Sequence, residues 1–162
     1  MSIAGGFDLD VTAFVSALER KVSEINSGSN PAIEKALQSA GDAYMKFSRA
    51  WFDSNGENDW APLSPNTMPG RQNKDADQIL RDTWELYEDI FEYGPQNINQ
   101  VVDNVWFGGT SNFKGMKHQI GGYPTWGGPG PARPILVYPP ENVMEQIQSI
   151  LGSSVVYVLS GV

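Results

Sequence analysis

The stretch Ile79–Gly108, ILRDTWELYEDIFEYGPQNINQVVDNVWFG, decides the fold. Ile79–Trp84 fits one or two helical turns. Leu86–Tyr93 then partly alternates, with Leu86, Glu88, Ile90 and Glu92 on one side and Tyr87, Asp89, Phe91 and Tyr93 on the other. Gly94-Pro95-Gln96-Asn97 is a turn signal. Val101, Val102, Val105, Trp106 and Phe107 enrich the run Gln100–Gly108. Two β-rich runs around a turn read as a β-hairpin. The alternative is one longer helix over 79–93.

Helices precede this stretch. Val11, Phe14, Val15, Leu18, Val22 and Ile25 form one apolar stripe over 11–25, behind Asp10 as N-cap. Asn30-Pro31 starts a second helix, with Asn as cap and Pro in the first turn. Ile33, Leu37, Ala40, Tyr44, Phe47 and Trp51 carry it to about Phe52. Residues 53–78 are rich in Asx, Gly and Pro and read as loop. Beyond the hairpin, residues 109–134 form a long Gly/Pro-rich loop holding Tyr123 and Trp126. Ile135–Tyr138 reads as a short strand. Glu141–Leu151 has helical spacing, and the β-branched run Ser154–Leu159 suggests a last strand or an arm. The expected fold is α+β in one domain, 1–162. N-terminal helices pack on a small, mostly antiparallel sheet, with a C-terminal helix and trailing strand. Residues 1–10 and 152–162 are candidate arms.

Composition narrows the function. The 162 residues carry 11 Lys plus Arg and 19 Asp plus Glu, for a net charge of −8. There is no Cys and one His, which removes disulfides, thiol nucleophiles, Cys-ligated zinc and two-His metal motifs. The acidity argues against nucleic-acid binding, which depends on phosphate neutralisation. No 20-residue apolar run or signal peptide is read, so no membrane role and a cytoplasmic site of synthesis are expected. Residues 75–103 hold eight acids against Arg81, while 104–162 hold three basic side chains and two acids. Glu85, Glu88, Asp89 and Glu92 make the expected acidic surface.

The chemical motifs fall short of a catalyst. Asp53–Asp59 has its Gly at the fourth place, where a calcium loop needs it at the sixth. His118 has no acid within ten residues on either side to orient it. No Gly-x-Ser-x-Gly elbow is present. Gly127-Gly128-Pro129-Gly130 lacks the Lys-Ser/Thr of a phosphate loop. The four carboxylates of 85–92 read as surface charge ahead of a glycosidase pair. No catalytic, metal or cofactor site is expected.

Four pieces in order carry a resemblance. They are Trp60-Ala61-Pro62-Leu63-Ser64-Pro65-Asn66-Thr67; Ile79-Leu80-Arg81-Asp82-Thr83; His118-Gln119 with Gly121-Gly122; and Pro131-Ala132-Arg133-Pro134. Together they resemble the phage virion morphogenesis or tail-completion family, related to the G protein of phage Mu. Where that family shows a Gly after the Thr of the second piece, this chain has Trp84. The basic residues that often follow the first piece are reduced to Arg71 and Lys74, and 109–117 departs as well.

The resemblance implies a structural protein of the tail or neck, made in the host cytoplasm and carried in the virion. It implies a homo-oligomeric ring of six copies joining tail to head. Tail tube, tail sheath or head–tail connector proteins are its implied neighbours. Trp60, Pro62, Leu63, Lys117, His118, Gln119, Tyr123, Trp126 and Arg133 are the implied contact residues. The acidic 75–103 segment and Lys114, Lys117 and Arg133 suit the two complementary faces of a ring. The alternatives are a connector (stopper or adaptor) of the neck and, from another class, a ligand-binding or hydrolytic domain using His118 and the Trp residues.

Overall fold

The computed structural model describes residues 11–26, 30–122 and 130–160, so the 1–10 arm lies outside them. Their elements are α1 (Val11–Asn26), α2 (Pro31–Asp53), a 3-10 turn (Met68–Gly70), α3 (Glu85–Phe91), β1 (Asn97–Val102), β2 (Val105–Thr110), α4 (Phe113–Ile120) and α5 (Glu141–Ser160). The fold is α+β, as expected, with β1 and β2 forming an antiparallel two-stranded sheet. Among the described residues no helix is long and apolar enough to cross a membrane.

The long helix α2 organises the rest. Asn30 Oδ1 accepts from the Ala32 and Ile33 amides at 3.0 and 3.3 Å, and Pro31 opens the first turn. Helix α5 packs along α2, α1 contacts α5, and the hairpin lies across α2. At that crossing the Trp106 indole covers Gly41, where any Cβ would overlap the ring. The core sits at the C-terminal end of α2. Phe52 is fully buried and meets Trp60, Tyr87 and Phe91 edge-on, with centroids 5.3, 5.6 and 5.4 Å away. Ile79, Leu86, Ile90 and Ile135 close around it.

Several local expectations are corrected. The run Leu86–Tyr93 is not a strand, because Glu85–Phe91 is helical. Its apolar residues satisfy both periods, since Leu86/Ile90 and Tyr87/Phe91 are also i, i+4 pairs. The helical arrangement buries Leu86 and Ile90 and sets Tyr87 and Phe91 on Phe52. The hairpin turn is therefore not Gly94–Asn97 but Asp103-Asn104, with φ of 51° and 58°. Two residues in the left-handed region make the turn type that suits strand twist.

The 109–134 loop contains α4, capped by Asn112 Oδ1 on the Lys114 amide at 3.0 Å. Ile135–Tyr138 is not a strand, because a side chain does the pairing. Gln119 Oε1 accepts from the Ile135 and Leu136 amides, and its Nε2 donates to the Leu136 carbonyl. The trailing strand is also helix, since α5 runs on through Ser154–Leu159 to Ser160. Contact with α2 outweighs the β preference of the Val155-Val156 run. Residues 152–160 are accordingly no extended arm.

Candidate functional site

Four segments far apart in sequence meet at the C-terminal end of α2. After that helix the chain turns through Asn55, Gly56, Glu57 and Asn58, all with φ between 52° and 69°. A Cβ on Gly56 would lie 2.5 Å from Trp60 Nε1, so this turn seats the indole directly on backbone. Trp60, an expected contact residue, is buried against Phe52 and faces the core. The following residues Pro62, Leu63, Ser64 and Thr67 reach the surface.

Three buried guanidiniums hold the segments together. Arg81 donates to the Phe52 carbonyl at 3.1 Å and to Asp53 at 2.7 Å, with its charge 4.8 Å above the Phe52 ring. Arg71 donates to the Asp75 and Gln78 carbonyls, and Asp82 lies 3.7 Å from its Nε. Asp82 in turn accepts from the Gln72 and Asn73 amides at 2.7 and 3.1 Å. Arg133 donates Nε and Nη2 to the Ala61 carbonyl at 3.1 and 2.8 Å, and Nη2 also to Pro62. Its own amide donates to the His118 carbonyl at 2.7 Å. Trp51 Nε1 donates to the Pro134 carbonyl at 2.9 Å. A cation that donates to carbonyls fixes loop backbone without cancelling its own charge.

Between these segments lies a cleft of about 480 Å³. Its rim is Pro62, Leu63, Leu80 and Pro131, and Ser64, Thr67, Gly122 and Gly130 complete the wall. Arg71, Lys117 and Arg133 face it against one carboxylate, Asp82. His118 lines the same cleft, and its pKa falls from 6.5 to about 4. Burial is the main cause, followed by the charges of Arg133 and then Lys117. Burial also lowers the Arg133 pKa. The imidazole is therefore neutral at pH 7 and a weak base there.

The expected site residues divide clearly. Pro62, Leu63, Lys117, His118 and Arg133 meet at the cleft. Gln119 does not line the cleft and spends its side-chain amide on the 135–136 backbone. Tyr123 and Trp126 lie outside the described residues. On the acidic surface, Glu85 pairs with Lys114 at 2.6 Å, Glu92 pairs with Arg49 at 2.5 Å and Glu88 is exposed. Asp89 is not surface at all, because it is fully buried and accepts from Asn112 Nδ2 at 2.7 Å. Lys114 is likewise taken up by its own chain. Sequence reasoning missed Arg71, Leu80 and Asp82 as cleft residues, although Leu80 and Asp82 lie inside a quoted motif. Among the described residues no cluster of three His, Asp or Glu could hold a metal ion.

Comparison with protein-family models, with curated proteins and with solved structures finds no match for this chain.

Proposed function

We propose that this chain is a structural virion protein of a phage, completing the tail at the neck as a homo-oligomeric ring that joins it to the head. The observation that carries this reading is the convergence of the four resembling segments on one cleft. Pieces beginning at residues 60, 79, 118 and 131 share one surface, held by Arg81 and Arg133. Trp84 adds support. Its φ is 63°, a left-handed conformation favoured by Gly, at the position where the family shows a Gly.

The chemistry of the cleft also favours contact over turnover. A His of pKa about 4 beside two cations lacks the carboxylate that would orient and activate it. Asp82, the carboxylate of the cleft, is engaged by Arg71 and by two backbone amides. A rigid surface with an apolar rim and a cationic floor suits a protein partner.

The test is removal of the chain from the genome that encodes it, with electron microscopy of the particles produced. Unjoined heads and tails are expected, and purified protein should reach a mass near six times 17.8 kDa alone or on tails. Joined, infectious particles lacking the chain would refute the proposal. Labelled protein found on the head portal, absent from the tail end, would move it to the connector alternative.

A further inference from the structure

We infer that the cleft is the socket of a subunit contact, and that its occupant is the Tyr93 tip of the next copy of this chain. The inference rests on the ring reading above. Tyr93 follows α3 and is fully exposed, an unusual state for a large aromatic. The tip that carries it is already shaped. The Gly94 amide donates to the Glu88 carbonyl at 3.2 Å, and the Asn97 amide donates to Gly94 at 3.1 Å. Gly94 also packs against the Asp89 backbone so closely that a Cβ would lie 2.7 Å from its nitrogen. A preformed knob loses little freedom on docking.

Chemistry matches the two surfaces. Glu88 is exposed on the helical turn before Tyr93, and Glu92 beside it is exposed but paired with Arg49, so Glu88 carries the tip's unbalanced charge. The cleft offers the opposite charge, since Arg71, Lys117 and Arg133 outnumber Asp82 there, and the hydrogen bonds of Arg71 and Arg133 go mainly to neutral carbonyls. The apolar rim of Pro62, Leu80 and Pro131 suits the faces of a phenol ring, and the guanidiniums suit its π-cloud and hydroxyl. A cleft of about 480 Å³ has room for one aromatic side chain with its flanking backbone. Knob and socket are different patches of one chain, so the contact runs head to tail and closes into a ring when the rotation allows.

The experiment replaces Tyr93 with the photo-crosslinking residue p-benzoylphenylalanine in the full chain, irradiates it, and maps the joined peptides by mass spectrometry. Sedimentation of wild type, Tyr93→Ala and Glu88→Lys runs beside it at low and high salt. Intermolecular links into 62–71, 80–82, 117–122 or 130–133 are expected, with association about tenfold or more weaker in Tyr93→Ala. Glu88→Lys should associate more weakly chiefly at low salt. Links to any other surface, or Tyr93→Ala associating like wild type, overturn the socket and leave the ring reading standing. A wild type that stays monomeric up to millimolar concentration also overturns it, and the particle test then judges the functional reading separately.

Discussion

Replacing Asp89 with Ala should destabilise this protein more than replacing any other carboxylate of its acidic segment. The carboxylate is fully buried, accepting from Asn112 Nδ2 at 2.7 Å and from the Gln96 amide at 3.2 Å. Asn112 is 3% exposed and caps α4, so Asp89 ties the end of α3 to the start of β1 and to α4. Alanine leaves two donors without an acceptor. Each orphaned buried donor costs about 1–3 kcal/mol. Relief of the carboxylate's own desolvation offsets part of the sum, leaving roughly 2–4 kcal/mol. For a chain of this length that corresponds to a Tm lower by about 4–16 °C. Urea denaturation should show a lower midpoint with an unchanged slope, and hydrogen exchange should rise first in α4. Asp89→Asn keeps an acceptor and should lose about half as much. An Asp89→Ala variant within about 0.5 kcal/mol of wild type, or an equally damaging Asp89→Asn, would refute this role of the buried carboxylate.

Other outcomes follow from the same contacts. Phe52→Ala empties the centre of the aromatic cluster and should cost about 3–5 kcal/mol by chemical denaturation. Gly41→Ala should cost about 1–3 kcal/mol, read as a Tm loss together with a shifted Trp106 indole resonance, because the hairpin must lift off α2. His118 is the chain's one histidine, so a single imidazole signal should titrate near pH 4 where an unfolded histidine titrates near 6.5. A lowered folded pKa means the unfolded chain binds the extra proton first. The contribution of His118 is thus whole above pH 6.5 and is lost as pH falls towards 4. The stability difference between wild type and His118→Gln should shift across that window and level off outside it.

The legible parts of the fold are those where local and tertiary preferences agree. Asn30-Pro31 and the stripe from Ile33 to Trp51 specify α2 by themselves, with cap, first turn and apolar face all present. The stretch 85–93 gives no such agreement. Its apolar residues suit a strand and a helix alike, and the choice falls to Phe52, which Tyr87 and Phe91 can flank together from a helix. Helix α4 hides for the opposite reason. Phe113 and Ile120 are each 58% exposed, while the position turned inward is Gly115, where a Cβ would come within 2.9 Å of Thr110 Cγ2. A helix whose buried face is glycine has no apolar stripe to read. The Asp103-Asn104 turn has a recognisable but weaker signature than Asn-Gly, and Gly94-Pro95 beside it is the louder signal.

The candidate site divides along a similar line. The four motifs located the cleft, but the boldest residues in them are mostly its frame. Trp60 fills core, Gln119 stands in for a neighbouring strand, and Arg133 spends its hydrogen bonds on Ala61 and Pro62. A short motif with a Trp, a Gln or an Arg between prolines marks backbone that needs those internal partners to hold its shape. The surface such backbone presents belongs to plainer neighbours, Leu63, Thr67, Leu80 and Lys117. Loss of function after changing Gln119 or Arg133 therefore reports collapse of the frame. A substitution that leaves the frame's hydrogen bonds intact, such as Thr67→Arg on the exposed wall, separates contact from folding. It should keep the wild-type Tm while narrowing the cleft to any partner that enters it.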